Sequence, residues 1–355
     1  MATKKAYRPK KTPQERMAEL AKKRGKNGKP LWDLDRDGIT YTMLSRFMVC
    51  RERFRLSAVE GWSETGLQAA LEFGSAFHRC LENPKSSPEK ITRQYQAERV
   101  ASKALFRNQL QEFETLMGIV EAVVHGYRSI YSDDDAKTKT TVFHEEKFDI
   151  QYALSLPVNY REVRLRGRFD HVFRDKLGKL WLLETKTKSD IDDDGISRTL
   201  SQDLQTMLYV SALEKMTGEK VAGVVYNVIR RPALRQKKSE SIRQFVLRVK
   251  QTVLEQADKY FLRWTHTLDK HDLSKWQART LDPLLRQVCS WWDSIKKHPF
   301  DPEYLYRPGS EHYQRPFGVY DSLASGRRGD FFELLTGGST SGLKRREVAF
   351  PELAD

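Results

Sequence analysis

Apolar residues recur at helical spacing along the first part of the chain and at alternating spacing further on, which predicts helices followed by a sheet. Thr40–Leu56 predicts a helix with an apolar face at Met43, Leu44, Phe47 and Phe54 and arginines opposite. A second predicted helix covers Glu64–Glu82, with Leu67, Ala70, Leu71, Gly74, Phe77 and Leu81 near one stripe and His78 on its border. The amphipathic stretch Ile91–Tyr131 ends at Ser132-Asp-Asp-Asp135, which reads as a solvated loop. Strands are predicted at 142–154, 162–173 and 179–187, the last opening with Leu180-Trp-Leu-Leu183, an apolar run suited to a central position. A helix over 199–217 stops at Gly218, and Val221–Ile229 reads as a further β-branched strand. Residues 241–297 read as mostly helical, 300–322 as an irregular segment rich in Tyr, Arg and Pro, and 336–343 as a flexible linker. The expected class is α/β with a mixed sheet and an α, β, β, β, α, β order.

The turn between the second and third strands places three charges together. A three-residue loop Lys176-Leu-Gly178 gives glycine the position needing positive φ, so Asp175 faces Lys179. Counting outward sets Asp170 opposite Glu184, about 5 Å apart at Cβ if directly paired. Glu184 and Lys186 share that face by the two-residue period of a strand, while Leu183 and Thr185 point away. Two carboxylates so close call for a cation, and the trio outlines a magnesium site. The same trio also reads as an ordinary cross-strand salt bridge.

Further residues bear on the choice. Gln205 and Tyr209, at i and i+4 on the next helix with Gln202 one turn earlier, project an amide and a phenol able to hydrogen-bond phosphate, although Tyr209 also reads as a core-edge aromatic. His78 reads either as a satisfied core histidine or as a third metal ligand. Arg230, Arg231, Arg235, Lys237 and Lys238 follow the Ile229 strand as a DNA-groove rim or a solvated loop. Asp190 and Asp192–Asp194 suit an acidic turn better than a second metal.

Lys and Arg total 62 against 48 Asp and Glu, a formal net charge of +14. The excess is concentrated in residues 1–30, too polar to bury a core, which predicts a disordered arm that binds polyanions or aids solubility. Cys50, Cys80 and Cys289 make no C-x-x-C pair, so neither a disulfide framework nor a zinc knuckle is indicated and a reducing cytoplasm fits. No apolar run reaches the roughly 18–20 residues of a membrane span, and no secretory signal is seen.

Taken together, Gly74-x-x-x-His78, Gly167-Arg-Phe-Asp170, Glu184-Thr-Lys186 and Gln205-x-x-x-Tyr209 resemble the PD-(D/E)XK nuclease superfamily, in its RecB-like branch of phage exonucleases and CRISPR-adaptation nucleases. The resemblance covers residues 40–230. It implies a restriction-endonuclease-like core in which His78, Asp170, Glu184 and the Thr185 carbonyl hold Mg²⁺ or Mn²⁺, Lys186 orients the attacking hydroxide, and Gln205 and Tyr209 position the DNA strand. It also implies an exonuclease acting on DNA ends in recombination, repair or phage DNA metabolism, within a bacterial or phage-infected cell. The alternatives are a non-cleaving DNA-binding or recombination scaffold, a structure-specific endonuclease and an RNA-processing enzyme. Many RecB-like relatives carry an iron-sulfur cluster. Cys50 sits where its first ligand would be, but Tyr313–Leu323 holds no cysteine, so no cluster is expected; Tyr304, Tyr306, Tyr313, Phe317 and Tyr320 fill that volume or stack on bases. With no Walker A loop, a helicase or recombinase partner would be a separate chain, and an oligomer is allowed. The expected organisation is a basic arm at 1–30, a nuclease domain at 31–335 and a tail at 336–355.

Overall fold

The computed structural model describes residues 30–66, 68–102, 107–156, 159–190, 202–297, 331, 334 and 339–353. The basic arm up to residue 29, Asp192–Asp194 and the aromatic segment 300–322 lie outside them. Counting helices of nine residues or more, the chain forms α1 (Tyr41–Val49), α2 (Ala69–Glu82), α3 (Pro88–Ser102), α4 (Arg107–Thr138), α5 (Leu204–Thr217), α6 (Ile242–Glu255) and α7 (Asp282–Lys297). Its strands are β1 (Ile39–Thr40), β2 (Trp62–Glu64), β3 (Thr140–His144), β4 (Lys147–Ser155), β5 (Tyr160–Arg168), β6 (His171–Arg174), β7 (Leu180–Lys188), β8 (Val221–Arg230), β9 (Phe261–Thr267) and β10 (Leu343–Arg345). The described residues fall into two compact units, one within 66–150 and 166–281, the other within 30–65, 151–165 and 282–353.

The 66–150/166–281 unit is built on a five-stranded mixed sheet of order β3-β6-β7-β8-β9. β7 and β8 are parallel, joined across α5, and the other pairs are antiparallel. Central placement of β7 follows from its burial, with Leu180, Leu182, Leu183, Glu184 and Thr185 all enclosed. Phe73 and Phe77 of α2, Tyr95 of α3, Val120 and Val123 of α4, and Phe245 and Val249 of α6 join Ile229 and Phe261 in one apolar core. Each such side chain contributes about 1.5–3 kcal/mol relative to leaving it in water.

The hairpin register is as expected from the turn. Gly178 has φ 76°, the Asp175 N–H donates to the Lys179 carbonyl at 3.1 Å, and Arg174 pairs with Leu180 through to His171 with Leu183. The next step of that register sets Asp170 against Glu184. The strands themselves are shorter than predicted. Instead of single strands at 142–154 and 162–173, the ribbon breaks at Glu145-Glu146 and at Phe169-Asp170. β3 and β6 stay in the five-stranded sheet, whereas β4 and β5 enter a three-stranded sheet of order β1-β5-β4. The corner is stitched by the Glu145 N–H to the Asp170 carbonyl at 3.2 Å and the Phe169 N–H to the Glu146 carbonyl at 2.9 Å.

Other boundaries differ for identifiable reasons. Ser132–Asp135 is not a loop: α4 continues to Thr138, because Asp135 is neutralised by Lys139 and by Arg263, whose Nη2 lies 2.6 Å away. The predicted helix over 199–217 starts at Leu204, where Asp203 caps Thr206. Phe261–Thr267 is a strand inside the region read as helical, held by pairing with β8.

In the other unit, α1 ends at Cys50, whose extended backbone interrupts the predicted helix before a further turn at Arg51–Phe54. The helix predicted from Glu64 begins only at Ala69, because Trp62–Glu64 pairs with Leu343–Arg345. The expected flexible linker thus ends in a strand. Trp32, Phe47, Phe54, Trp291 and Trp292 pack edge to face with ring centroids 5.0–5.5 Å apart.

Candidate active site

Each motif has a local physical reason. Gly74 lets α2 lie against β7, since a Cβ there would stand 3.0 Å from Thr187 Oγ1. One turn on, His78 Nδ1 reaches 3.6 Å from Asp170 Oδ1. At Gly167 a Cβ would meet Phe148 Cζ at 2.4 Å and Tyr209 Cε1 at 3.0 Å, so glycine admits the rings of Phe148, Phe169 and Tyr209, which pack together beside the corner. Asp170 ends the corner with Oδ2 accepting the Thr185 N–H at 2.7 Å.

Glu184 and Lys186 stand on the same side of β7. Lys186 Nζ donates to Glu184 Oε1 at 3.1 Å and to Gln205 Oε1 at 2.5 Å, and lies 3.5 Å from Asp203 Oδ2. Gln205 Nε2 reaches the Tyr209 hydroxyl at 3.4 Å. The predicted amide and phenol are therefore near Lys186, with the Tyr209 ring buried among phenylalanines. Gln202 is exposed just ahead of α5.

The sequence reading missed Glu145. Its carboxylate joins His78 and Asp170 in a group whose ligand atoms all lie within 4.8 Å of one another. Glu145 also has φ 53°, the only positive value for a non-glycine among the described residues. Such backbone costs about 1–3 kcal/mol and persists only where surroundings impose it. The readable signal was a pair of acidic residues interrupting strand alternation at His144-Glu-Glu-Lys147. Arg168 was missed too: its guanidinium lies 3.1 Å from Glu145 Oε2, outside hydrogen-bonding geometry, and 3.2 Å from Glu82 Oε1.

Electrostatics of this cluster favour a cation. Burial raises the carboxyls of Asp170 and Glu184 above the usual range despite the opposing charge of Lys186. Glu145 is pushed up to about 9 by burial and by the charge of Asp170. Burial lowers the His78 imidazole below its ordinary value, which favours the neutral form that can ligate. Glu184 is 1 % exposed, and its Oε2 has no hydrogen-bond partner. Glu184 is not one of the three residues whose ligand atoms lie within 4.8 Å of one another, but its charge acts on both His78 and Asp170, and a buried carboxylate oxygen with no partner near them suits a hard divalent ion.

Of the basic candidates, Arg230 pairs with Asp190 at 3.2 Å, and the Arg231 N–H donates to the Lys188 carbonyl at 2.8 Å. Arg235, Lys237 and Lys238 are exposed on the segment after β8. Cys50 Sγ accepts the Arg53 N–H at 3.5 Å, while Cys80 and Cys289 are buried thiols.

A family model described as the PD-(D/E)XK nuclease superfamily matches residues 39–303. The chain belongs to that superfamily. As a PD-(D/E)XK nuclease it is a phosphodiester hydrolase, and membership implies DNA as substrate and use of a divalent metal. No curated protein matches the chain. Fourteen chains of solved structures match. One, described as the crystal structure of SSO0001, is 13 % identical, the match covering 68 % of this nuclease and 84 % of that chain at a TM-score of 0.26, a likeness too low to carry an argument. No described helix is long and apolar enough to cross a membrane.

Proposed function

We propose that this nuclease is a Mg²⁺- or Mn²⁺-dependent deoxyribonuclease of the RecB-like branch that degrades DNA from its ends. The observation that carries the metal-dependent part is the orphaned, buried Glu184 oxygen beside Lys186, with His78, Glu145 and Asp170 gathered nearby. The preference for ends rests on the resemblance of the four motifs to phage exonucleases.

His78, Glu145, Asp170 and Glu184 would hold the ion, which when bound supplies an acidified water and charge stabilisation at the phosphate. Lys186 contributes a fixed ammonium. Glu184, Gln205 and Asp203 surround Nζ, so the lysine is aimed before substrate arrives and can hold the attacking oxygen or offset phosphate charge. Gln205 is steadied by Tyr209 and would exchange its bond to Lys186 for one to the DNA backbone. Gln202, Arg230, Arg231, Arg235, Lys237 and Lys238 would hold the phosphates on either side, supplying affinity without sequence preference. A helicase or recombinase acting beside it would be a separate chain.

The test is cleavage of end-labelled single-stranded, linear duplex and closed-circular DNA by wild type and Glu184→Ala, with Mg²⁺, Mn²⁺ or EDTA. Metal-dependent loss of linear DNA with circles spared, abolished in Glu184→Ala, is the expected result. Nicked circles would make it an endonuclease. Binding without cleavage under every metal would leave a scaffold.

A further inference from the structure

Behind the Glu-x-Lys strand lies a buried polar connection that the chemistry above does not use. Asn227 of β8 is fully enclosed, next to Thr185 in the parallel β7–β8 ladder and flanked along its own strand by Val225 and Ile229. An apolar residue of that size would suit such a position, and a buried amide is retained at no loss only if all its bonds are made. They are made to three different elements. Asn227 Nδ2 donates to Thr185 Oγ1 at 3.3 Å and to the Tyr127 hydroxyl at 2.9 Å, and Oδ1 accepts from Arg263 Nε at 3.4 Å. Arg263 Nη2 donates to Tyr127 at 2.8 Å, and the guanidinium forks onto Asp135 at 2.5 and 2.6 Å. α4, β8 and β9 thus form one frame around the Thr185 side chain.

Thr185 is the residue between Glu184 and Lys186, and its N–H holds Asp170 at 2.7 Å. A shift of Thr185 therefore moves both strand-borne charges and, through its N–H, the Asp170 carboxylate. We propose that Asn227 is a positioning residue: by clamping the Thr185 side chain it holds Asp170 and the Glu184–Lys186 pair in the geometry that takes up the divalent ion. The proposal rests on the metal-dependent reading above. Partners that orient metal ligands through a second hydrogen bond are worth 10–100-fold in metal affinity or activity.

The experiment compares wild type, Asn227→Leu, Thr185→Val and the double variant by two readouts: the Mg²⁺ concentration that half-saturates the metal-induced rise in melting temperature, and the Mg²⁺ midpoint of cleavage. Thr185→Val deletes the hydroxyl while keeping the backbone amide that binds Asp170. Each single variant is expected to raise both midpoints 10–100-fold, and the double variant no further than the worse single, since both break the same link. A melting temperature lowered in EDTA with midpoints within twofold of wild type would overturn the proposal, because that is all a merely structural asparagine would do. Should Asn227→Leu not fold, Thr185→Val decides alone by the same criterion. A wild type that neither binds metal nor cleaves overturns the metal-dependent reading and this proposal together. A wild type that does both beside unaltered variants overturns this proposal only.

Discussion

Glu145 combines two costs at one residue. Its backbone sits at φ 53° and its carboxyl is pushed up to about 9 by burial against Asp170. Asparagine tolerates left-handed backbone better than glutamate and carries no charge. Glu145→Asn is therefore expected to raise the melting temperature in EDTA at pH 8 by a few degrees, while Mg²⁺-induced stabilisation and cleavage fall at least tenfold. Differential scanning fluorimetry with and without Mg²⁺ checks both halves. A variant equally stable and equally responsive to Mg²⁺ would remove Glu145 from the site. Lys186→Met gives the contrasting case. It deletes the ammonium that compensates buried Glu184, so it is expected to abolish cleavage and also to lower stability, since removing one partner leaves a buried carboxyl unpaired.

At the scale of elements, the corner joining β3–β4 to β5–β6 delivers Glu145 and Asp170 to the same place, and Gly167 lets aromatic rings pack beside it. Gly167→Ala would drive a Cβ to 2.4 Å from Phe148 and 3.0 Å from Tyr209, both buried. The expected cost is about 1–3 kcal/mol of stability, as for overpacking elsewhere. Displacing Tyr209 also loosens Gln205 and hence Lys186, so kcat is expected to fall at saturating Mg²⁺; urea unfolding and single-turnover cleavage measure the two effects. The same elements show what the sequence made legible. Asp170, Glu184 and Lys186 could be placed relative to one another because a short turn with a positive-φ glycine sets register and strand period sets side. The acidic pair Glu145-Glu146 marks an interruption of the alternation, but the change of sheet there could not be read, because alternation resumes on both sides of the pair and which sheet each half joins is decided by its partners. β9 was missed because Phe261–Thr267 is short, lies between helices and owes its conformation to pairing with β8. Asn227 was passed over because a polar residue within a β-branched run says nothing about its partners.

For the molecule as a whole, the acidic cluster links proton uptake, metal uptake and stability. Asp170, Glu184 and Glu145 all have folded pKa values raised above their unfolded values of roughly 4. At these three carboxyls the metal-free folded state then holds more protons than the unfolded chain between about pH 4 and pH 9, so their contribution to stability falls as pH rises through that window, and above the unfolded histidine range of about 6.5 no lowered imidazole opposes it. A divalent ion takes the place of those protons. Its binding should release protons and tighten as pH rises, with burial favouring the neutral, ligating form of His78. The expected result is a melting temperature in EDTA that declines from pH 6 to pH 9, while the increment given by Mg²⁺ grows over the same range. Glu184→Gln should flatten both trends, since it removes the carboxyl most deeply buried among these charges. Titration calorimetry at pH 7.5 in two buffers of different ionisation enthalpy counts the protons directly. Release of about one proton or more on Mg²⁺ binding fits the cluster described here; none, together with a pH-independent Mg²⁺ increment, would mean that the ion binds away from these carboxyls.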